Sequence, residues 1–220
     1  MVNKDKSIIK LQRSLYFKEL KRAHSPTRIV SSLDISNYRK SFNKSIPIHY
    51  ELERKEAFIE KALNAEVLFY GDFHTRSSYQ FGFKNLLTQI HQESPGRKIV
   101  AGLECFEPEH QNHIDDYLEG KITSSQLLLN TDYASRWGYF WPPYYEILEY
   151  AKKNNLYVCG INSKSTSLHE RDLQITNNII NIIKKNSGSY FMCLIGEHHL
   201  ADTHIPYLLN SIFKKTHNSI

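Results

Sequence analysis

Cysteine is scarce. The 220 residues include three, Cys105, Cys159 and Cys193, and none is spaced as a C-x-x-C pair. A sparse, odd set gives no disulfide framework and fits a reducing compartment. Cys159 and Cys193 lie inside apolar runs and read as buried, inert thiols. Long hydrophobic stretches are also missing; none approaches the roughly 18 apolar residues of a membrane span. The opening "MVNKDKSIIKLQRSLYFKELKR" lacks the apolar core of a signal peptide and has no early Cys for a lipid anchor. The sequence therefore reads as a soluble, cytoplasmic chain with no membrane association indicated. There is no repeat and no low-complexity tract. A strong charge imbalance is absent too: the net charge is +5, spread with some excess over the first 60 residues. A modest, dispersed excess reads as a solvated surface rather than a nucleic-acid interface.

What is present is strand–helix alternation. Hydrophobic residues make up 40% of the chain, enough for one globular core. Four short apolar runs, at 66–70, 98–103, 156–161 and 190–195, read as strands buried on both faces. Helical spacing separates them at 78–92, 107–118, 143–154 and 168–185. In the last, Leu173, Ile175, Ile179, Ile180, Ile182 and Ile183 form an apolar face, and Lys184 and Lys185 suit a helix C-terminus. The fold class expected is α/β, with a mainly parallel central sheet flanked by helices. Residues 1–50 read as an N-terminal helical or irregular extension, with a helix over 8–23 and irregular chain over 29–49. Residues 51–220 read as the α/β domain, opening on a helix within 49–63.

In such sheets the site lies beyond the carboxyl ends of the strands. The first run ends in "YGDFH", giving Asp72 and His74. The second gives Glu104, with Glu107 nearby, and the third gives Asn162. The fourth ends in "IGEHH", giving Glu197, His198 and His199. Gly-x-x-His thus stands after two strands far apart in sequence, and glycine lets the chain turn so that the following side chains reach a shared crevice. Two imidazoles and a carboxylate suit a divalent transition metal such as Zn, Mn, Fe or Co, through His74, Glu104 and His199. The same groups could work without metal, a His acting as general base beside a carboxylate. Asp72 is also placed to cap the next helix. A second cluster, "RWGYFWPPYYEIL", concentrates aromatic residues between Trp137 and Tyr145. It reads either as packing beneath a loop or as a wall for a flat apolar ligand. His110 and His113 read as surface histidines.

Five motifs in order, "YGDFH", "GLECFEPEHQ", "WGYFWPPYYEILEYAKKNNLYVCGIN", "HERD" and "IGEHHLADTHIP", resemble the ChaN-like haem-uptake family, which shares a superfamily with Tiki proteases and erythromycin esterases. The likeness runs from about residue 55 to 210. It implies an α/β fold with the site above the sheet and a role in haem or iron uptake. It implies haem as cofactor, bound through tyrosine; by location in the aromatic segment Tyr139, Tyr144 and Tyr145 are the candidate ligands, with His198 or His199 from the facing strand end as a second. The same superfamily implies an alternative, a metal-dependent hydrolase of peptide or ester bonds. There His74, Glu104, His199 and Asp72 would be catalytic, on a peptide or small-molecule substrate. An open haem face could also pair two copies into a homodimer.

Overall fold

The computed structural model describes residues 32–46, 53–165 and 167–217; the helix expected over 8–23 lies outside them. The elements run α1 Ser32–Ser45, α2 Lys55–Asn64, β1 Val67–Asp72, α3 Ser77–Glu93 and β2 Ile99–Leu103. A 3-10 turn at Pro108–His110 leads into α4 Gln111–Leu118, then α5 Ser124–Asn130, α6 Tyr133–Arg136 and α7 Pro142–Lys153. After β3 Tyr157–Gly160 come α8 Leu168–Lys185, β4 Tyr190–Gly196, a 3-10 turn Glu197–Leu200 and α9 Ile205–His217.

The four strands form one parallel sheet in the order β1-β4-β2-β3. Strict alternation along the central strands divides the core. Tyr190, Met192 and Leu194 of β4 join Ile99, Ala101 and Leu103 of β2 beneath Phe83, Leu87, Tyr144 and Ile147 of α3 and α7. The intervening Phe191, Cys193 and Ile195, with Val100, pack against Ile175 and Ile179 of α8. Helices therefore cover both faces, which is why β2 and β4 are apolar throughout and fully buried. β1 is an edge strand and is mostly half-buried. Among the described residues, no helix is long and apolar enough to cross a membrane.

Local signals explain the flanking elements. Pro142 and Pro143 open α7, where a missing amide costs nothing. Lys184 and Lys185 close α8, and Gly188 turns the chain at φ 79°. Thr123 and Gln126 form a reciprocal capping box at the start of α5. One expectation is corrected. Part of the segment read as irregular, 29–49, is helical: α1 covers Ser32–Ser45. Its sequence lacks a clean apolar stripe because it docks by a few rings. Tyr38 stacks on His204 with centroids 4.0 Å apart, and Phe42 meets His198 edge-on at 5.1 Å.

Candidate functional site

Three strands with adjoining carboxyl ends build the site. β4 lies between β1 and β2, and Asp72 pairs in register with Gly196. Glu104 follows β2, and its amide still bonds to Leu194 O of β4. The loops after β1 and β4 deliver His74 and His199 to either side of the Glu104 carboxylate. His74 Nε2 lies 3.9 Å from Oε2, and His199 Nε2 lies 3.4 Å from Oε1. The Gly196 amide donates to Oε2 at 2.6 Å.

Space at position 196 is tight. A Cβ there would stand 3.1 Å from His74 Nε2 and 3.4 Å from Glu104 Oε2. The backbone at Gly196 has φ −49°, open to any residue, so close approach rather than a sharp turn explains this glycine.

Each imidazole is held from behind in the same manner. His74 Nδ1 bonds Asp72 Oδ2 at 2.9 Å, and Tyr144 OH donates to the same oxygen at 2.7 Å. Gln80 Nε2 donates to the other oxygen of Asp72. His199 Nδ1 bonds Asp172 Oδ1 at 2.5 Å. Tyr38 OH lies 2.6 and 2.7 Å from the two Asp172 oxygens and 2.7 Å from His199 Nδ1. With both carboxylates accepting, each ring places its N–H on Nδ1 and turns Nε2 toward Glu104. The result is a Tyr–Asp–His unit on each side of one glutamate.

Electrostatics follow from this enclosure. Burial opposes charge on Glu104, but His199, His74 and the Gly196 amide outweigh it and hold the carboxyl down at about 2. Burial likewise opposes charge on His199, yet Glu104 and Asp172 raise it to about 9. His74 is raised too; burial works against it, and the Asp72 hydrogen bond and Glu104 prevail. Burial and Asp172 push the Tyr38 phenol well up, and burial and Asp72 do the same for Tyr144, so both stay protonated donors.

The remaining candidates are dispersed. Asp72 does not cap a helix; Arg76 occupies the N-cap of α3. Tyr144 is buried, with its OH given to Asp72. Tyr139 and Tyr145 are half-buried, and Tyr139 lies with its ring centroid 4.9 Å from that of His74. Trp137 meets the same imidazole edge-on at 4.6 Å. Phe140 is 67% exposed. His198 is turned away under Phe42, and burial and Arg39 lower it to about 4. His110, expected at the surface, is buried, and its Nδ1 accepts the Glu107 amide. Cys105 is buried, and burial followed by the Asp72 and Glu104 charges pushes its thiol up; such a thiol is a poor nucleophile.

Glu107, Glu109 and His110 form a group whose ligand atoms lie within 4.8 Å of one another. Its carboxylates are already paired, Glu107 with Arg136 at 2.7 Å and Glu109 with Lys164 at 2.6 Å. Among the described residues no other group meets that spacing; in the His74–Glu104–His199 set both imidazoles face one buried carboxylate. In both rings Nδ1 bonds a carboxylate and leaves Nε2 facing inward, an orientation that metal-binding histidines share.

Sequence reasoning missed Asp172, Tyr38 and Gln80. Asp172 carried a signal: it lies three and seven residues before Ile175 and Ile179, on the buried face of α8. A carboxylate there must have partners.

The family model described as "Haem-binding uptake, Tiki superfamily, ChaN" matches residues 58–171. No curated protein matches the chain. Among solved structures, ChaN of Campylobacter jejuni, solved with cofacially bound haem, is 14% identical with a TM-score of 0.58, covering 74% of this chain and 83% of that one. A chain described as bacterial protein toxins is 19% identical with a TM-score of 0.53, covering 75% of this chain and 34% of that one. RRSP, a MARTX toxin effector domain from Vibrio vulnificus, is 16% identical with a TM-score of 0.50, covering 78% and 34%. The chain thus spans about a third of the two toxin chains. At these identities the likeness is one of fold.

Proposed function

The chain belongs to the haem-binding uptake (ChaN) family of the Tiki superfamily, and on that premise we propose that it binds haem on the aromatic rim beside His74, in haem or iron uptake. The observation that carries this reading is the pair of rings, Trp137 and Tyr139, packed against His74, with the adjacent Phe140 67% exposed. An exposed aromatic face next to a polar centre fits the face of a porphyrin. Tyr139 is the phenol whose ring lies against His74; Tyr144 is committed to Asp72, and Tyr145 hydrogen-bonds Tyr117. Bound haem would supply a ferric iron, for which a phenolate is a hard anionic donor. The exposed Phe140 would also give a second copy an apolar surface to meet.

Haem titration is the test. A shifted Soret band is expected for the wild type, with the tyrosinate charge-transfer band lost in Tyr139→Phe and kept in Tyr145→Phe. No Soret shift in the wild type overturns the reading.

A second reading rests on a different observation, two carboxylate-held imidazoles turned toward one glutamate. This arrangement supports water activation for hydrolysis of a peptide or ester bond. His74, His199 and Glu104 would hold a divalent ion such as Zn, Mn, Fe or Co, which would supply Lewis acidity. Asp72 and Asp172 fix the rings; in the absence of an ion, the Nε2 atoms would instead take or give the proton. Calorimetry with Zn and Mn should show binding that strengthens as pH rises, since both imidazoles must be deprotonated to ligate. Equal heats for wild type and His74→Ala/His199→Ala remove the ion. In a hydrolase screen, activity should fall with Glu104→Ala and survive Cys105→Ser; the reverse pattern rejects activated water.

A further inference from the structure

The His199 half of the site is incomplete without the helix that precedes the α/β domain. Asp172 is 2% exposed. A carboxylate so enclosed needs donors, and among the described residues His199 Nδ1 and Tyr38 OH reach it. Tyr38 comes from α1, which lies outside the residues matched by the family model. Three further contacts seat α1 on the segment that follows β4. Tyr38 stacks on His204, Phe42 meets His198, and Ser45 Oγ accepts the Asp202 amide at 2.9 Å. The helix thus delivers one phenol to a pair of side chains already 2.5 Å apart.

The role of that phenol is legible from the other half. Tyr144 OH does for Asp72 what Tyr38 OH does for Asp172. Tyr144, however, belongs to α7 and is fixed in the core, whereas Tyr38 is half-buried and set by the docking of α1.

We propose that Tyr38 is a positioning residue for His199: by donating to Asp172 and lying against His199 Nδ1, it shields the Asp172–His199 hydrogen bond from water and fixes the ring with Nε2 toward Glu104. Residues 32–45 are then a working part of the site. This inference deepens the reading of the His74–Glu104–His199 group as an acid–base centre. The haem reading does not depend on it.

The test follows the ring N–H signals in nitrogen-15-labelled full-length protein and needs no substrate, metal or haem, so its failure is separate from failure of either functional reading. In the wild type, the His199 Nδ1–H should give a protected, far-downfield resonance. In Tyr38→Phe it should shift and exchange with water at least about fivefold faster, the loss expected for one hydrogen bond. In Tyr144→Phe the His74 signal should move instead and the His199 signal stay. The ring of Phe at 38 keeps the stack on His204, so α1 remains docked. A graded series, with 3-fluorotyrosine and 3,5-difluorotyrosine at position 38, preserves the shape while making the phenol a stronger donor; the His199 signal should move in order of acidity. A His199 resonance unchanged in Tyr38→Phe and across the fluorotyrosine series overturns the proposal.

Discussion

His74 and His199 meet one carboxylate from opposite sides, yet the chain holds them by different means. The His74 unit is largely local: Asp72 and His74 are two residues apart, Gln80 is on the next helix, and only Tyr144 comes from afar. The His199 unit is assembled from three distant segments, α1, α8 and the turn after β4. The difference teaches that equal geometry does not imply equal robustness. The first unit is secured by core packing. The second relies on helices that must dock before their polar groups meet.

The largest effect should come from breaking what the two halves share. Glu104→Gln removes the negative charge between two buried imidazoles whose protonated forms it favours. We expect a stability loss of about 3–5 kcal/mol at neutral pH, read by urea unfolding. A loss below 1 kcal/mol would show that the halves are not coupled through Glu104.

The pH profile sharpens the comparison next. A histidine raised from an ordinary 6.5 to about 9 contributes stability that is complete below pH 6.5 and lost as pH climbs through 9. For His199 this is on the order of 3 kcal/mol. Glu104, held at about 2, contributes above its ordinary range and loses that contribution as pH falls toward 2. His199→Gln should therefore flatten the alkaline side of the profile more than the acid side. If the wild type is equally stable at pH 6 and pH 9.5, the inward attraction on His199 is absent.

Gly196→Ala should act on both halves at once, because its Cβ would press on His74 Nε2 and Glu104 Oε2. Overpacking of this kind costs about 1–3 kcal/mol. Thermal melts of this variant and Gly71→Ala, whose Cβ would meet Glu197 Cβ at 3.2 Å, compare the two glycines. The ring signals of His74 should move in Gly196→Ala alone.

The smallest effect should be Tyr144→Phe, which deletes one buried hydrogen bond and keeps the ring. About 1 kcal/mol is expected, with Gln80 still donating to Asp72. A loss above 3 kcal/mol would mean that the His74 unit is no more robust than its partner.

Much of this was legible in the sequence, for identifiable reasons. The four strands stood out because β2 and β4 are covered on both faces, which makes their runs continuously apolar. The placement of His74, Glu104 and His199 followed because side chains after parallel strands gather at one edge. Asp172 was readable in principle as a carboxylate on a buried helix face. Tyr38 was not. Its role depends on where α1 docks, and α1 has too little apolar patterning to announce either its helix or its partner. α5 carried the capping-box signal of Thr123 and Gln126 but no long apolar period. Tyr144 was noticed for its aromatic ring, whereas its phenol turned out to serve Asp72.

The strand order has a consequence for how the protein comes into being. Among the described residues β1 pairs with β4 alone, and β4 also separates β1 from β2. β4 is the last of the described strands, beginning at Tyr190. A chain emerging from the ribosome can therefore seat β2 against β3 early, but β1 waits for a partner made well after β2 and β3. His74 and Glu104 are then held apart until the segment bearing His199 arrives, so the three side chains come together only once β4 is in place. Pulse proteolysis of ribosome-stalled chains is expected to find β1 cleavable in chains ending before residue 190 and protected in those that include β4. Protection in the shorter chains would show that β1 finds its place without β4.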